Sequence, residues 1–75
     1  MQITPLKSNM TEVINNSGSV ILVSYSTPVA AQVNGHVYRT NKYFSNTTSK
    51  HINKWIGNTE AEVKEQEFFT SLMYK

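Results

Sequence analysis

The chain has 75 residues, of which 39% are hydrophobic, 11% aromatic and 16% charged, and its formal net charge is +2. That length holds one small domain, residues 1–75, whose folding removes only about 60% of the unfolded surface from water, so association between copies would help a small core. Cysteine and Asp are both absent, which excludes disulfides, thiolate metal sites, a cysteine nucleophile and a Ser/His/Asp triad.

Residues 11 to 40 read as β-structure. Thr11–Asn15 is a short extended run, closed by the turn-forming Asn16-Ser17-Gly18. Val20–Tyr25 is rich in β-branched and aromatic residues and apolar at four successive positions, the pattern of a central strand covered on both faces. Thr27-Pro28 interrupts it. Proline donates no N–H to a ladder, so a corner or an edge is expected there. Val29–Val33 and His36–Thr40 flank Asn34-Gly35, a two-residue loop suited to a type I′ turn. That register sets Val33 opposite His36, Ala31 opposite Tyr38 and Val29 opposite Thr40 on one face. On the other it sets Gln32 opposite Val37 and Ala30 opposite Arg39. The first face is the apolar one, so Tyr38 is expected in the core and Arg39 at the solvent.

After Thr40 the period changes. Asn46-Thr47-Thr48-Ser49 offers N-caps for a short helix through Lys50–Ile56, with Gly57 just beyond it. Ile52, Trp55 and Ile56 share one face, with Trp55 as the anchor to the sheet, and Lys50 and Lys54 lie opposite. Towards the C-terminus, Glu60, Glu62, Glu65 and Glu67 precede Phe68-Phe69-Thr70-Ser71-Leu72-Met73. Phe68 with Leu72 and Phe69 with Met73 are i,i+4 pairs, so residues 66 to 74 read as a second helix with acids near its start. A strand across Glu62 to Glu67 competes with that reading. Tyr25, Tyr38, Trp55, Phe68 and Phe69 sit at patterned positions and are expected in the core.

Charge is unevenly spread. From His36 to Lys54 there are four basic residues (Arg39, Lys42, Lys50 and Lys54) and no acid, whereas the glutamates concentrate between 60 and 67. Tyr43, Phe44 and His51 interleave with the cations, a combination suited to phosphates and stacked bases. The plainer alternative is a solvated surface whose lysines are neutralised by the glutamates of another segment or another subunit. Two histidines fifteen residues apart without an acidic pair make a poor metal site, and the three isolated glycines form no phosphate loop, so no metal and no cofactor are expected. The longest apolar run, Val20–Val23, is far below the roughly 20 residues of a membrane span, and the opening residues lack a signal-peptide pattern, so a cytoplasmic location is expected.

The segments Leu22-Val23-Ser24-Tyr25-Ser26-Thr27-Pro28-Val29-Ala30-Ala31, Tyr38-Arg39-Thr40 and Thr47-Thr48-Ser49-Lys50-His51-Ile52-Asn53-Lys54-Trp55 carry a resemblance. Over residues 2 to 57 the chain resembles a family of short, uncharacterised marine phage proteins of cyanophage type. That resemblance implies an association with the Sm-like fold, a five-stranded barrel that forms rings and binds RNA, and a location in the infected host cell. Gly35, Val37 and Asn41 match the Sm strand-turn-strand spacing, Thr40 departs from it, and Ile56-Gly57-Asn58 is a truncated echo of the second Sm motif. Asn41 is the one position the resemblance assigns to RNA binding; Arg39 and Lys42 join it by charge.

The expectation is thus a mainly β protein, a small five-stranded SH3- or Sm-like barrel with one or two short helices. The expected role is non-enzymatic: binding of RNA or single-stranded nucleic acid as a cyclic homo-oligomer of more than two copies, through Arg39, Asn41, Lys42, Tyr43, Lys50 and Lys54. The competing role is a structural or protein-interaction module without nucleic acid.

Overall fold

The Asn34-Gly35 turn forms in the left-handed region, at φ 52° and 82°, as a type I′ loop requires of both its residues. In the computed structural model, which describes residues 1–75, it joins two of six strands. In chain order these are β1 (Gln2–Lys7), β2 (Met10–Ile14), β3 (Val20–Ser24), β4 (Thr27–Val33) and β5 (His36–Thr40), then helix α1 (Asn46–Ile56), β6 (Glu62–Lys64) and helix α2 (Gln66–Leu72). The expected pairs Val33↔His36, Gln32↔Val37, Ala31↔Tyr38 and Ala30↔Arg39 all form. The register ends at Ala30, so the pair Val29↔Thr40 is absent.

β1 to β5 form an antiparallel meander, and β6 joins β5 in parallel after the crossover through α1. The strand order is β1-β2-β3-β4-β5-β6. This is an open sheet of six strands, not the expected closed barrel of five. Two features account for the difference. Gln2–Lys7 makes an additional edge strand, exposed along its whole length, where Pro5 is tolerated because an edge has no outer neighbour. The helices cover opposite faces, so both are buried without the sheet curling upon itself.

Alternation along β3 sets up the two layers. Ile21 and Val23 point to one side, where they meet Val13, Ala31 and the α2 residues Phe69 and Leu72. Leu22 points to the other, among Met10, Val29, Ala30 and Ile52 of α1. Pro28 lies inside central strand β4, not at the expected corner or edge. It sits where the β3–β4 register slips between Leu22 and Val23, and a bulge is a place where a missing donor does no harm. The Gln66 side chain takes the Pro28 carbonyl from α2 at 2.7 Å. The acidic segment divides between the two readings weighed for it, with strand at Glu62–Lys64 and helix from Gln66 to Leu72.

Candidate nucleic-acid interface

Ser45, in extended conformation, starts α1 by accepting the Thr48 N–H at 3.1 Å, and Gly57 ends it with φ 64° and its N–H on Asn53 O. Trp55 is half-buried against the Met10–Leu22–Ile52 cluster and donates its indole N–H to Glu12 Oε2 at 2.9 Å. A buried polar chain holds the other end of the helix. Ser24 Oγ lies 3.0 Å from Thr48 Oγ1 and 2.9 Å from His51 Nδ1, and Ser45 Oγ donates to Thr48 Oγ1 at 3.2 Å. One direction satisfies every group: Ser45 donates to Thr48, Thr48 to Ser24, and Ser24 to the Nδ1 of a His51 protonated on Nε2. Ser24 and His51 have the makings of a nucleophile–base pair. Ser24 is only 2% exposed and also bonded to Thr48, so its oxygen is spent on fixing α1 to the sheet.

With α1 fixed, the candidate residues distribute around it. Lys50 and Lys54 are one turn apart on its exposed side. Arg39, on the α1 face of β5 opposite Ala30, is half-buried and donates from a guanidinium nitrogen to Asn53 Oδ1 at 3.3 Å. Tyr43, exposed in the leading loop, donates its hydroxyl to Asn46 Oδ1 at 2.7 Å. Lys42 stands 5.3 Å from the Phe44 ring centre. Asn41 donates its backbone N–H to the Lys64 carbonyl, and its side chain is exposed. Arg39 therefore touches α1 rather than standing free in solvent, as its hairpin position alone suggested.

Two further residues belong to this surface. Lys7, at the end of β1, pairs with Met10, whose side chain lies beneath α1. The Lys54 ammonium, within hydrogen-bonding reach and of like charge, holds the Lys7 amine below the ordinary lysine range. Tyr25, expected in the core, is 53% exposed. It takes φ 58° in the β3–β4 turn, a strained conformation for a bulky residue, held by its N–H on the Asn9 carbonyl at 2.7 Å and with its ring 6.3 Å from that of His51. Apolar patterning extended the strand through Tyr25; the strand ends one residue sooner, at Ser24, and Tyr25-Ser26 rather than Thr27-Pro28 makes the turn, which sets the ring outward.

The single salt bridge of the molecule joins Lys64 to Glu62 at 2.9 Å, on the far edge strand, and that carboxylate raises the Lys64 pKa. Lys7, Arg39, Lys42, Lys50 and Lys54 have no carboxylate partner. Of the glutamates, Glu60, Glu62, Glu65 and Glu67 lie on or beside β6 and the start of α2, while Glu12 alone shares the α1 face.

Residues 1–71 match the model of a family of unknown function (DUF8033), and the chain belongs to that family. No curated protein and no solved structure matches it. No helix is long and apolar enough to cross a membrane.

Proposed function

We propose that the protein is a non-enzymatic module that binds RNA or single-stranded DNA along α1 and the loop leading into it. The observation that carries this reading is the gathering of Lys7, Arg39, Lys42, Lys50 and Lys54 around one helix with no carboxylate salt-bridged to any of them. Phosphates would take the places of the missing counter-charges, and exposed Tyr25, Tyr43 and Phe44 at the α1 N-terminal end would stack bases. Asn41 would contribute its side-chain amide from the end of β5. The resemblance to Sm-like phage proteins extends the proposal to a cyclic homo-oligomer in the host cytoplasm, in which each copy repeats the same cations.

The test is fluorescence anisotropy with a single-stranded RNA at several salt concentrations. Log affinity is expected to fall linearly with log salt. No binding at low salt, or binding indifferent to salt, would overturn the proposal. A second reading, a structural module that works through self-association, draws support from exposed Ile3 and Leu6 on β1 and Val63 on β6, the two unpaired edges of the sheet. Sedimentation decides that reading: a monomer mass at micromolar concentration removes it and the ring together.

A further inference from the structure

An open cleft of about 350 Å³ lies on the α1 face, between the last turn of the helix and the strand ends opposite Lys7. The volume falls at the lower end of the range for small-ligand sites, ~300–1,000 Å³. Val20, Val37 and Ile56 give it apolar surface, and half-buried Trp55 adds an aromatic wall. No lysine or arginine lines it. Its charged group is Glu12, whose Oε2 holds the Trp55 indole and whose Oε1 has no partner within the protein. Beside it the exposed amide of Gln32 is likewise unpartnered, free to accept and to donate.

That donor and acceptor set selects a ligand. A carboxylate oxygen only accepts, so what fills the cleft must bring N–H groups, and the apolar walls favour a flat ring. Among the bases, guanine alone offers two adjacent donors, N1–H and the N2 amine, next to an acceptor, O6. Adenine and cytosine each present an unprotonated ring nitrogen beside the amine, which a carboxylate repels. Uracil has one donor between two acceptors. The geometry points to a guanine-reading site: Glu12 accepts from N1–H and the N2 amine, Gln32 donates to O6, and Trp55 packs against the ring, while Lys54, the residue before Trp55, takes a neighbouring phosphate. This deepens the nucleic-acid reading and rests on it for the strand that delivers the base; a free guanine nucleotide has the same chemistry.

Trp55 is the chain's only tryptophan, so its fluorescence reports the cleft directly. The probes are uridine pentanucleotides with one central guanosine, adenosine or inosine, and guanosine monophosphate alone. The guanosine pentamer is expected to quench Trp55 with an affinity at least tenfold above the adenosine one, with inosine, which lacks the N2 amine, in between. Glu12→Gln keeps an acceptor for the indole and should reduce the guanosine affinity to the adenosine level without changing the salt dependence. Gln32→Ala, at an exposed position, should weaken the guanosine preference in the same direction and serves if Glu12→Gln unfolds. Equal, salt-dependent binding of the guanosine and adenosine pentamers would overturn the guanine site and leave the basic surface standing. Quenching by guanosine monophosphate with no pentamer bound would uphold the cleft and overturn the nucleic-acid role. No quenching by any probe would overturn the guanine site, and absence of any anisotropy change with the pentamers at low salt would overturn the nucleic-acid role as well.

Discussion

On the α2 face six buried apolar side chains (Val13, Ile21, Val23, Ala31, Phe69 and Leu72) meet, and aromatic contacts extend the cluster: Tyr38 to Phe68 at 5.0 Å and Phe68 to Phe69 at 5.1 Å. On the α1 face Met10, Leu22, Val29, Ala30 and Ile52 share the contact with the buried Ser24, Thr48 and His51, and the helix above them carries exposed lysines. Both helices are fastened by apolar area plus directional bonds, but of different kinds. α2 is held by the Asn15 amide on the Leu72 carbonyl at 2.9 Å and by Gln66 between Thr40 and the Pro28 carbonyl, α1 by side chain-to-side chain bonds through Ser24, His51 and Glu12. Hydrogen bonds fix orientation as well as position, and buried polar groups left unpaired are costly, so the α1 face specifies where its outward side chains stand. The face that presents the cations is the one whose anchoring bonds run between side chains of the helix and of the strands beneath it.

Four variants test that contrast. Phe69→Ala removes a fully buried ring from the apolar face and should cost about 3–5 kcal/mol, comparable with the total stability of so small a domain. The variant is expected to be largely unfolded by circular dichroism; a cooperative melt near the wild-type temperature would show that α2 is dispensable. Trp55→Ala removes a half-buried ring and the bond to Glu12, with an expected loss of about 2–3 kcal/mol by urea denaturation, since part of the ring already meets water. Ser24→Ala takes the shared partner from Thr48 and His51 and should cost about 1–3 kcal/mol, a large effect for one oxygen. A loss below about 0.5 kcal/mol would mean that the polar chain does not hold α1. Lys50→Gln with Lys54→Gln should leave stability within about 0.5 kcal/mol while lowering the salt slope of RNA binding by about 0.7 per lysine. An unchanged slope would move the proposed interface off α1.

The smallest effect concerns pH. Because Lys54 disfavours the charged form of Lys7, Lys7 loses its proton at a lower pH than an ordinary lysine. An anion bound between them restores that proton. Its affinity is therefore complete below the depressed Lys7 pKa and declines as the pH rises through it, ahead of the other lysines. NMR titration of the Lys7 side chain checks both parts: Lys54→Gln and added phosphate should each raise the Lys7 pKa.

Much of the central sheet was legible in the sequence because its signals are local. Asn34-Gly35 determined four cross-strand pairs, and the unbroken apolar run Val20–Val23 marked a strand covered twice. Ile52, Trp55 and Ile56 identified the inner side of α1. β1 was missed because Pro5 interrupts its alternation and an edge strand buries nothing, leaving no pattern to detect. The site was legible only as a list of cations. Lys7 and Lys54 are 47 positions apart, Glu12 and Trp55 are 43, and Ser24 and His51 are 27, so the like-charge pair, the cleft and the polar chain arise only from the crossover that lays α1 over β2 and β3.

That crossover also sets an order of assembly. β1 to β5 meet through hairpins and short turns, contacts of low sequence separation that form early, whereas β6 must return to β5 across more than twenty residues, with Tyr38 beside Glu62. The loop it closes contains the whole of α1. Release of the three-residue β6 frees only the segment after the helix, because Ile52, the Trp55–Glu12 bond and the Ser24–His51 bond still hold α1 to the sheet, so β6 should open before α1. In native-state hydrogen exchange the amides of β3 and β4 are then the slowest, and those of β6 exchange ahead of those of α1, so the acidic edge opens while the helix that carries the lysines stays docked.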